Sequence, residues 1–467
     1  MKKSLLLLVC IVTTALASWA VTDNQTYETI NGLQMKNQWI FDRVHAGEAY
    51  LASPICHQRA RTAVMNGGVI YVARSEEALV VNGTDTLGSQ SIIHRFSVED
   101  GSALEDLPLT LDGSPYVRFL GVTSIGADNF GHIWVAPMTS NVQTTVPVYM
   151  VNTETGELTL VVEMQKGEMI YRTDYLDVVG DLTLQQAECN IMTVAGSSER
   201  SGFPTLYRMH ADKNGEWEGG FEGDPYMDVT NFYPETKTGF SLAPVIKMLL
   251  GDTDEDRYAG QLFYIDCFDT DPVLYDLEGN VIDNFENVDM NYRQTDKGAN
   301  GACEFTVDGR NFLVYPKAQY DKAGNGCQAY IAELGESKSL TGLKLYWQAP
   351  ADSLGKASDS GLRVHCLNAE TSTDASGNEV VTLFTFKAYN GMGIYKIGKN
   401  LDSEPTTVLT GDVNLDGKVD SGDIACIVNI ITGKDAAGTY GTRDDVNGDA
   451  KVDSGDIAAV VAIITGN

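Results

Sequence analysis

Basic residues are scarce in this chain: 33 lysines and arginines stand against 64 aspartates and glutamates, a formal charge of −31 over 467 residues. A surface of that sign repels phosphate backbones, which argues against nucleic acid as a partner. It suits cations, and it keeps an exported protein in solution. Long apolar runs are also missing. The only candidate, Leu5 to Val12, follows Lys2 and Lys3 and precedes the small residues Ala15, Ala17, Ser18 and Ala20. That order reads as a secretory signal over residues 1–20, too short to span a bilayer. No later segment is long and apolar enough to cross one.

Catalytic signatures are absent as well. The chain holds no G-x-S-x-G elbow, no H-E-x-x-H, no complete G-x-x-x-x-G-K-[ST] and no complete G-x-G-x-x-G. Its six histidines stand apart from one another, and His57 beside Cys56 reads as packing. Apart from Cys10 in the leader, the cysteines are Cys56, Cys189, Cys267, Cys303, Cys327, Cys366 and Cys426. They are odd in number and lack metal-ligand spacing, so buried thiols fit better than a disulfide framework. A Cys303–Cys327 bond stays open.

What the chain does have is repetition. An alternating strand centred on an aromatic recurs at Phe96, Tyr149, Tyr207, Tyr275, Tyr330 and Tyr395, 53 to 68 residues apart. A second strand precedes each, beginning near Gly68, Gly131, Cys189, Gly260, Asn311 and Val381. A third lies before most of those, as from Val122 and Cys303, and some units add a fourth, from Leu158 and Leu343. Four antiparallel strands repeated radially make a β-propeller, which leaves only short protected edges. The expectation is an all-β, six-bladed propeller over residues 21–400. A two-sheet sandwich and tandem small β domains are the alternatives. The sixth unit lacks an outer strand after Tyr395, and the orphan strand "NQWIFDRV" from Asn37 is available to close the ring.

After Lys399 the composition changes. A polar stretch with Pro405 reads as a linker over residues 401–410, and "DVNLDGKVDSGDIACIVNIITG" is then echoed by "DVNGDAKVDSGDIAAVVAIITG". In the first loop oxygen-bearing side chains occupy positions 1, 3, 5, 9 and 12, as Asp412, Asn414, Asp416, Asp420 and Asp423. Position 7, Lys418, offers its carbonyl. This is the spacing by which an EF-hand loop wraps calcium, with Gly417 at position 6 for the sharp turn. The second loop repeats it as Asp445, Asn447, Asp449, Lys451, Asp453 and Asp456, but Ala450 replaces the glycine, so the second site should be weaker. No helix pattern precedes either loop. One follows each, with Ile424, Ile427, Val428 and Ile431 on one face and Ile457, Val460, Val461 and Ile464 on the other. The expectation is a minimal two-helix core held by two calcium ions over residues 411–467.

These duplicated loop-helix units, with Asp at position 12, resemble a type I dockerin. The resemblance implies a calcium-folded module that docks onto a cohesin-type partner in extracellular or cell-surface assemblies, often ones that degrade plant polysaccharide. It also implies that loop positions 10 and 11 choose the cohesin. Those are Ser421 and Gly422, and again Ser454 and Gly455, identical pairs that suit two symmetry-related docking modes. The leader, acidic balance and repeats together resemble uncharacterised secreted propeller-like proteins of Bacteroidetes-type bacteria.

Two functions stay open for the propeller. It presents a binding surface for a polysaccharide or protein, or it is a glycoside hydrolase or polysaccharide lyase delivered by the tail. A glycosidase needs two carboxylates across a sugar. Acids near inner-strand starts include Asp174, Asp177 and Glu304, among many that chance would supply. Arg61, Arg118, Arg172 and Arg363 precede first strands and would suit an anionic sugar if they met in a funnel. Asp252, Asp254 and Asp256 alternate in "GDTDEDRYAG", which reads as an acidic surface loop because Arg257 takes position 6.

Overall fold

In a computed structural model, the described residues are 27–57, 59–81, 85–118, 121–139, 145–165, 170–185, 189–197, 204–211, 214–220, 227–228, 245–249, 262–265, 273–276, 280–284, 301–316, 328–352, 354, 365–374, 376–401, 411, 413, 419, 421–434, 444–447 and 451–465. The chain divides into two compact units, Met1–Thr371 with Val381–Ile397, and Ser372–Val380 with Gly398–Asn467.

Among the described residues, six antiparallel sheets built on four-stranded paths follow one another, a β-propeller arrangement. The first runs Ala60–Asn66, Val69–Val81, Asp85–Ser97 and Leu107–Pro108. The second is Val122–Ala127, Ile133–Pro137, Thr145–Val151 and Leu158–Gln165; the third is Ile170–Gly180, Cys189–Ser197, Pro204–Ala211 and Trp217–Gly220. The fourth is Val245–Met248, Leu262–Ile265, Val273–Tyr275 and Val281–Asn284; the fifth is Cys303–Val307, Arg310–Pro316, Ala329–Glu333 and Lys344–Ala349. The sixth takes His365–Thr373, Glu379–Lys387 and Gly391–Gly398 from its own stretch of chain and borrows Gln34–Asp42 as its outer strand. The closing strand is thus the orphan strand of the sequence, begun three residues before Asn37.

The recurring aromatics all fall on third strands and are buried. A third strand has a neighbouring strand on each side and a neighbouring sheet on each face, so its side chains meet no water on either face. This is why these stretches read as nearly continuous apolar runs, as in Ala329–Glu333, where Ala329, Tyr330, Ile331 and Ala332 are all buried. Separate apolar cores lie between consecutive sheets. Between first and second, Tyr71, Ile93 and Leu107 meet Ile125, Val135 and Tyr149. Between sixth and first, Phe384, Phe386 and Ile394, with Trp39 and Phe41 of the closing strand, meet Met65, Ile70 and Phe96. Trp39 also donates its Nε1–H to the Val98 carbonyl at 2.7 Å, fastening the borrowed strand to the first sheet.

Gly391 is where that strand passes closest. Its φ is +148°, and a Cβ there would lie 2.2 Å from Asp42 Cβ and 2.5 Å from Asp42 Cα, so only glycine admits the closing strand. Several hairpins use one turn chemistry: Asp128, Asp276 and Asp374 each accept the backbone N–H of the residue four places on, His132, Asn280 and Asn378.

In the second unit, helices Ser421–Ile431 and Ser454–Thr465 enclose a small core of Val413, Ile427 and Val460, with Ile424, Val446 and Ile457 half-buried around it. The helical faces expected from periodicity are only partly buried. Val428, Ile431, Val461 and Ile464 stay exposed, because two short helices cannot cover both of their own apolar faces.

Candidate functional site

Each C-terminal helix begins at the end of an acidic loop, and position 12 of each loop is fully buried. Asp423 accepts the Val413 N–H at 2.7 Å. Asp456 accepts N–H groups from Asn447 at 3.1 Å and Asp453 at 2.8 Å. Both carboxylates lie in the first helical turn, where the helix dipole favours negative charge. The chain therefore folds each loop back onto its own position 12.

In the second loop Asn447, Asp453 and Asp456 are drawn together around Gly455. A Cβ on Gly455 would lie 2.7 Å from Asn447 Nδ2 and 3.0 Å from Asp453 Oδ1. Position 11 thus has a local reason to be glycine beside any role in docking. The donors are all oxygens of carboxylate, amide and main chain, which fits a hard cation such as calcium. Asp445 and Lys451 are described beside them, whereas Asp412, Asn414, Asp416, Lys418, Asp420 and Asp449 lie outside the described residues, as do Gly417 and Ala450. Ser421 and Ser454 are exposed, and Gly422 and Gly455 half-buried.

In the propeller, the innermost strands of all six sheets line one cavity of about 420 Å³. Side chains stitch its wall together. Asn368 exchanges two hydrogen bonds with the Met65 backbone at 2.9 and 2.8 Å, joining sixth sheet to first. Thr62 accepts the Ile125 N–H at 3.3 Å, and Ser124 accepts the Leu176 N–H at 3.2 Å. Asp177 joins third to fourth, accepting Lys247 Nζ at 2.5 Å and the Met248 N–H at 2.9 Å. Burial pulls the Lys247 ammonium toward deprotonation, but the Asp177 carboxylate outweighs this and holds its pKa above the ordinary value.

Of the three acids singled out in the sequence, Asp177 and Glu304 line the cavity. Glu304 faces the buried Lys338, 3.6 Å away. The Asp174 side chain is outside the described residues. The arginine ring is not assembled among the described residues: Arg61 does not line the cavity, and the side chains of Arg118 and Arg172 and all of Arg363 are outside them, as is 251–260.

Five cysteines, Cys56, Cys189, Cys303, Cys366 and Cys426, are free thiols; Cys267 and Cys327 lie outside the described residues. Cys303 and Cys366 line the cavity, and burial pushes the Cys303 thiol up to about 12 despite nearby Lys247, so it is no thiolate nucleophile at neutral pH. His57 accepts the Arg59 N–H through Nδ1 at 3.1 Å, while Arg43 reaches Cys56 Sγ at 3.4 Å. That pair is packing.

One cluster escaped the sequence reading. Asp128, His132 and Asp181 place one ligand-type atom each within 4.8 Å of one another. The spacing D-N-F-G-H signals the first two, but Asp181 arrives from another sheet. Asp128 accepts N–H groups from Phe130, His132 and Leu182, and Asp181 accepts from Thr183 and Gln185. With its oxygens so occupied, the cluster reads as a turn lock.

Residues 410–465 match the family model described as "Dockerin type I domain", so the C-terminal unit carries a type I dockerin, a class of domain that binds calcium. None of the curated proteins matches the chain in sequence. Among solved structures, a DUF4623 family protein from Bacteroides eggerthii DSM 20697 is similar at 12% identity, over 80% of this chain and 77% of that one, with a TM-score of 0.48. A protein of unknown function from Dyadobacter fermentans DSM 18053 is 9% identical, over 79% and 99% of the two chains, with a TM-score of 0.42. An alpha-L-arabinanase from Penicillium chrysogenum, complexed with arabinobiose, is 11% identical over 73% and 93%, with a TM-score of 0.40. Likenesses this distant say nothing of substrate.

Proposed function

We propose that this is an exported protein whose dockerin, fixed by two calcium ions, docks onto a cohesin-type partner while the propeller presents a glycan-binding cavity. In this reading residues 1–20 are the leader, 21–400 the propeller, 401–410 the linker and 411–467 the docking module. Docking uses Ser421 and Gly422, or equally Ser454 and Gly455. The observation that carries it is the duplicated loop-helix unit with a buried Asp at position 12 of each loop, within a segment matching the dockerin model.

A second reading, a glycoside hydrolase or polysaccharide lyase delivered by the dockerin, draws on one observation: Asp177 and Glu304 line the same cavity. Binding is favoured over it because Asp177 is held by Lys247 and a backbone N–H, and Glu304 faces Lys338. A catalytic carboxylate must be free to face the glycosidic bond, and these two are already turned toward partners within the protein. Incubating the intact protein with a polysaccharide panel, scored for retention and for released sugar, tests the choice. Retention without product supports binding; released oligosaccharide that vanishes in Asp177→Asn or Glu304→Gln supports the hydrolase or lyase.

A further inference from the structure

The third sheet's inner strand carries an irregularity beside the central cavity. Along Ile170–Gly180, Thr173 lies opposite Ala195 but Leu176 opposite Thr193. Three steps on one strand answer two on the other, which is a β-bulge, a device that re-aims a side chain. Thr193 is fully buried and fastens it, donating its hydroxyl to the Tyr175 carbonyl at 2.8 Å. Tyr175 lines the cavity, is half-buried, and packs against the core between the fourth and fifth sheets. A third-sheet side chain meets that core by passing in front of the fourth sheet's inner strand, on the cavity side.

The strand it crosses supplies Lys247, which lines the cavity and whose side chain is 34% exposed. An ammonium carries three N–H donors. Among the described residues Asp177 Oδ1 is the hydrogen-bond acceptor of Lys247 Nζ, at 2.5 Å, which leaves two donors for the cavity. The second oxygen of Asp177 takes the Met248 N–H at 2.9 Å, so the carboxylate fixes where the ammonium points.

These groups lie deep. Asn129 and Gly131 are exposed turn residues on the cavity wall, and the Asn129 N–H donates to the Gly180 carbonyl at 3.2 Å, so Gly180 stands at the mouth. Tyr175 and Asp177 precede it on the same strand, about 15 Å and about 10 Å further in at the spacing of strand residues. The volume of about 420 Å³ is toward the small end of ligand cavities, which span about 300–1,000 Å³. A polymer lying across a channel ringed by six strands cannot touch groups at that depth; a chain end can.

We infer that Tyr175 and Lys247 form a floor subsite that takes the terminal sugar of a glycan entering end-on. The sugar's C–H face stacks on the Tyr175 ring, and its hydroxyls accept from the Lys247 ammonium, with Asp177 as the positioning residue. The inference rests on the glycan-binding reading above and deepens it by naming the chain end as the ligand. An aromatic face beside an oriented cation matches the apolar face and polar rim of a sugar ring.

Calorimetric titration of the intact, calcium-loaded protein with short arabino-, xylo- and cello-oligosaccharides, and with the corresponding polysaccharides, tests this. At least one series should bind, with oligomer and polymer equal within about threefold when counted per chain end. Tyr175→Phe keeps the ring and should stay within about threefold of the parent. Tyr175→Leu should weaken binding about tenfold. So should Lys247→Met combined with Asp177→Asn, which removes the ammonium without orphaning a buried carboxylate. In the parent, bound oligosaccharide should slow reductive methylation of Lys247 severalfold, read by peptide mass spectrometry, a result that needs no variant to fold. Binding left unchanged by Tyr175→Leu or by the paired variant overturns the inference while leaving the glycan reading intact. So does Tyr175→Phe as weak as Tyr175→Leu, polymer binding about tenfold tighter per chain end, or Lys247 methylated as fast in the saturated protein as in the free one. Failure of every glycan to bind overturns the reading itself, and the inference with it.

Discussion

Truncating Trp39 to alanine should open the ring at one seam. Trp39 is 3% exposed, sits in the core between the sixth and first sheets, and donates to the Val98 carbonyl. Large-to-small changes of a buried aromatic cost about 3–5 kcal/mol, and the lost hydrogen bond adds about 1 kcal/mol. Against a total of roughly 5–15 kcal/mol for a native domain, that is a large fraction. Each kcal/mol moves the midpoint by about 2–4 °C at 150–250 residues, and by less in a larger fold, so a drop of about 5–10 °C is expected. The control is Val44→Ala, just past the same strand and 51% exposed, which should stay within about 0.5 kcal/mol of the parent. Removing residues through Val44 altogether should expose an edge strand and cause aggregation. Thermal melts followed by near-ultraviolet circular dichroism, with calcium held constant, read all three. A Trp39→Ala midpoint within 1 °C of the parent would refute the closure argument.

Gly455→Ala should weaken calcium binding by the second loop at least severalfold, because the new Cβ meets Asn447 and Asp453; calorimetric titration of the intact protein checks it. Asp283 accepts Ser339 Oγ at 2.6 Å and the Thr341 N–H at 2.5 Å. Burial raises its pKa, but these hydrogen bonds outweigh it and hold the group below the ordinary 3.8. A lowered carboxyl stabilises the fold above its unfolded pKa and ceases to as pH falls through the folded one. The stability gap between the parent and Asp283→Asn should therefore shrink as pH drops below about 4, read by urea unfolding across pH.

The third strands were legible because they are buried on both faces, so each aromatic from Phe96 to Tyr395 stood in an apolar run bounded by turn residues. The closing strand showed itself by having no partner nearby in sequence. Its exact start, at Gln34, depends on pairing with Gly391–Gly398, more than 340 residues away, and no local pattern reports that. The cavity was not legible, since each sheet contributes one short inner strand and nothing in a strand marks which atoms will face the others. Asp177 and Glu304 could be nominated only as acids near strand starts; their pairing with Lys247 and Lys338 needed the fold. In the dockerin, helix periodicity located the faces but overstated burial, as exposed Val428 and Ile464 show.

Capture of a cohesin-bearing partner by the intact protein, from the secreted proteins of its source organism, tests the central claim most directly. Three proteins are compared with and without a calcium chelator: the parent, Asp423→Ala/Asp456→Ala, and a form with charged residues at Ser421, Gly422, Ser454 and Gly455. Of these three, the account predicts capture by the calcium-loaded parent alone, with the propeller's melting unchanged throughout. Capture of the same partner after calcium is stripped, or by the form altered at both pairs, would contradict it.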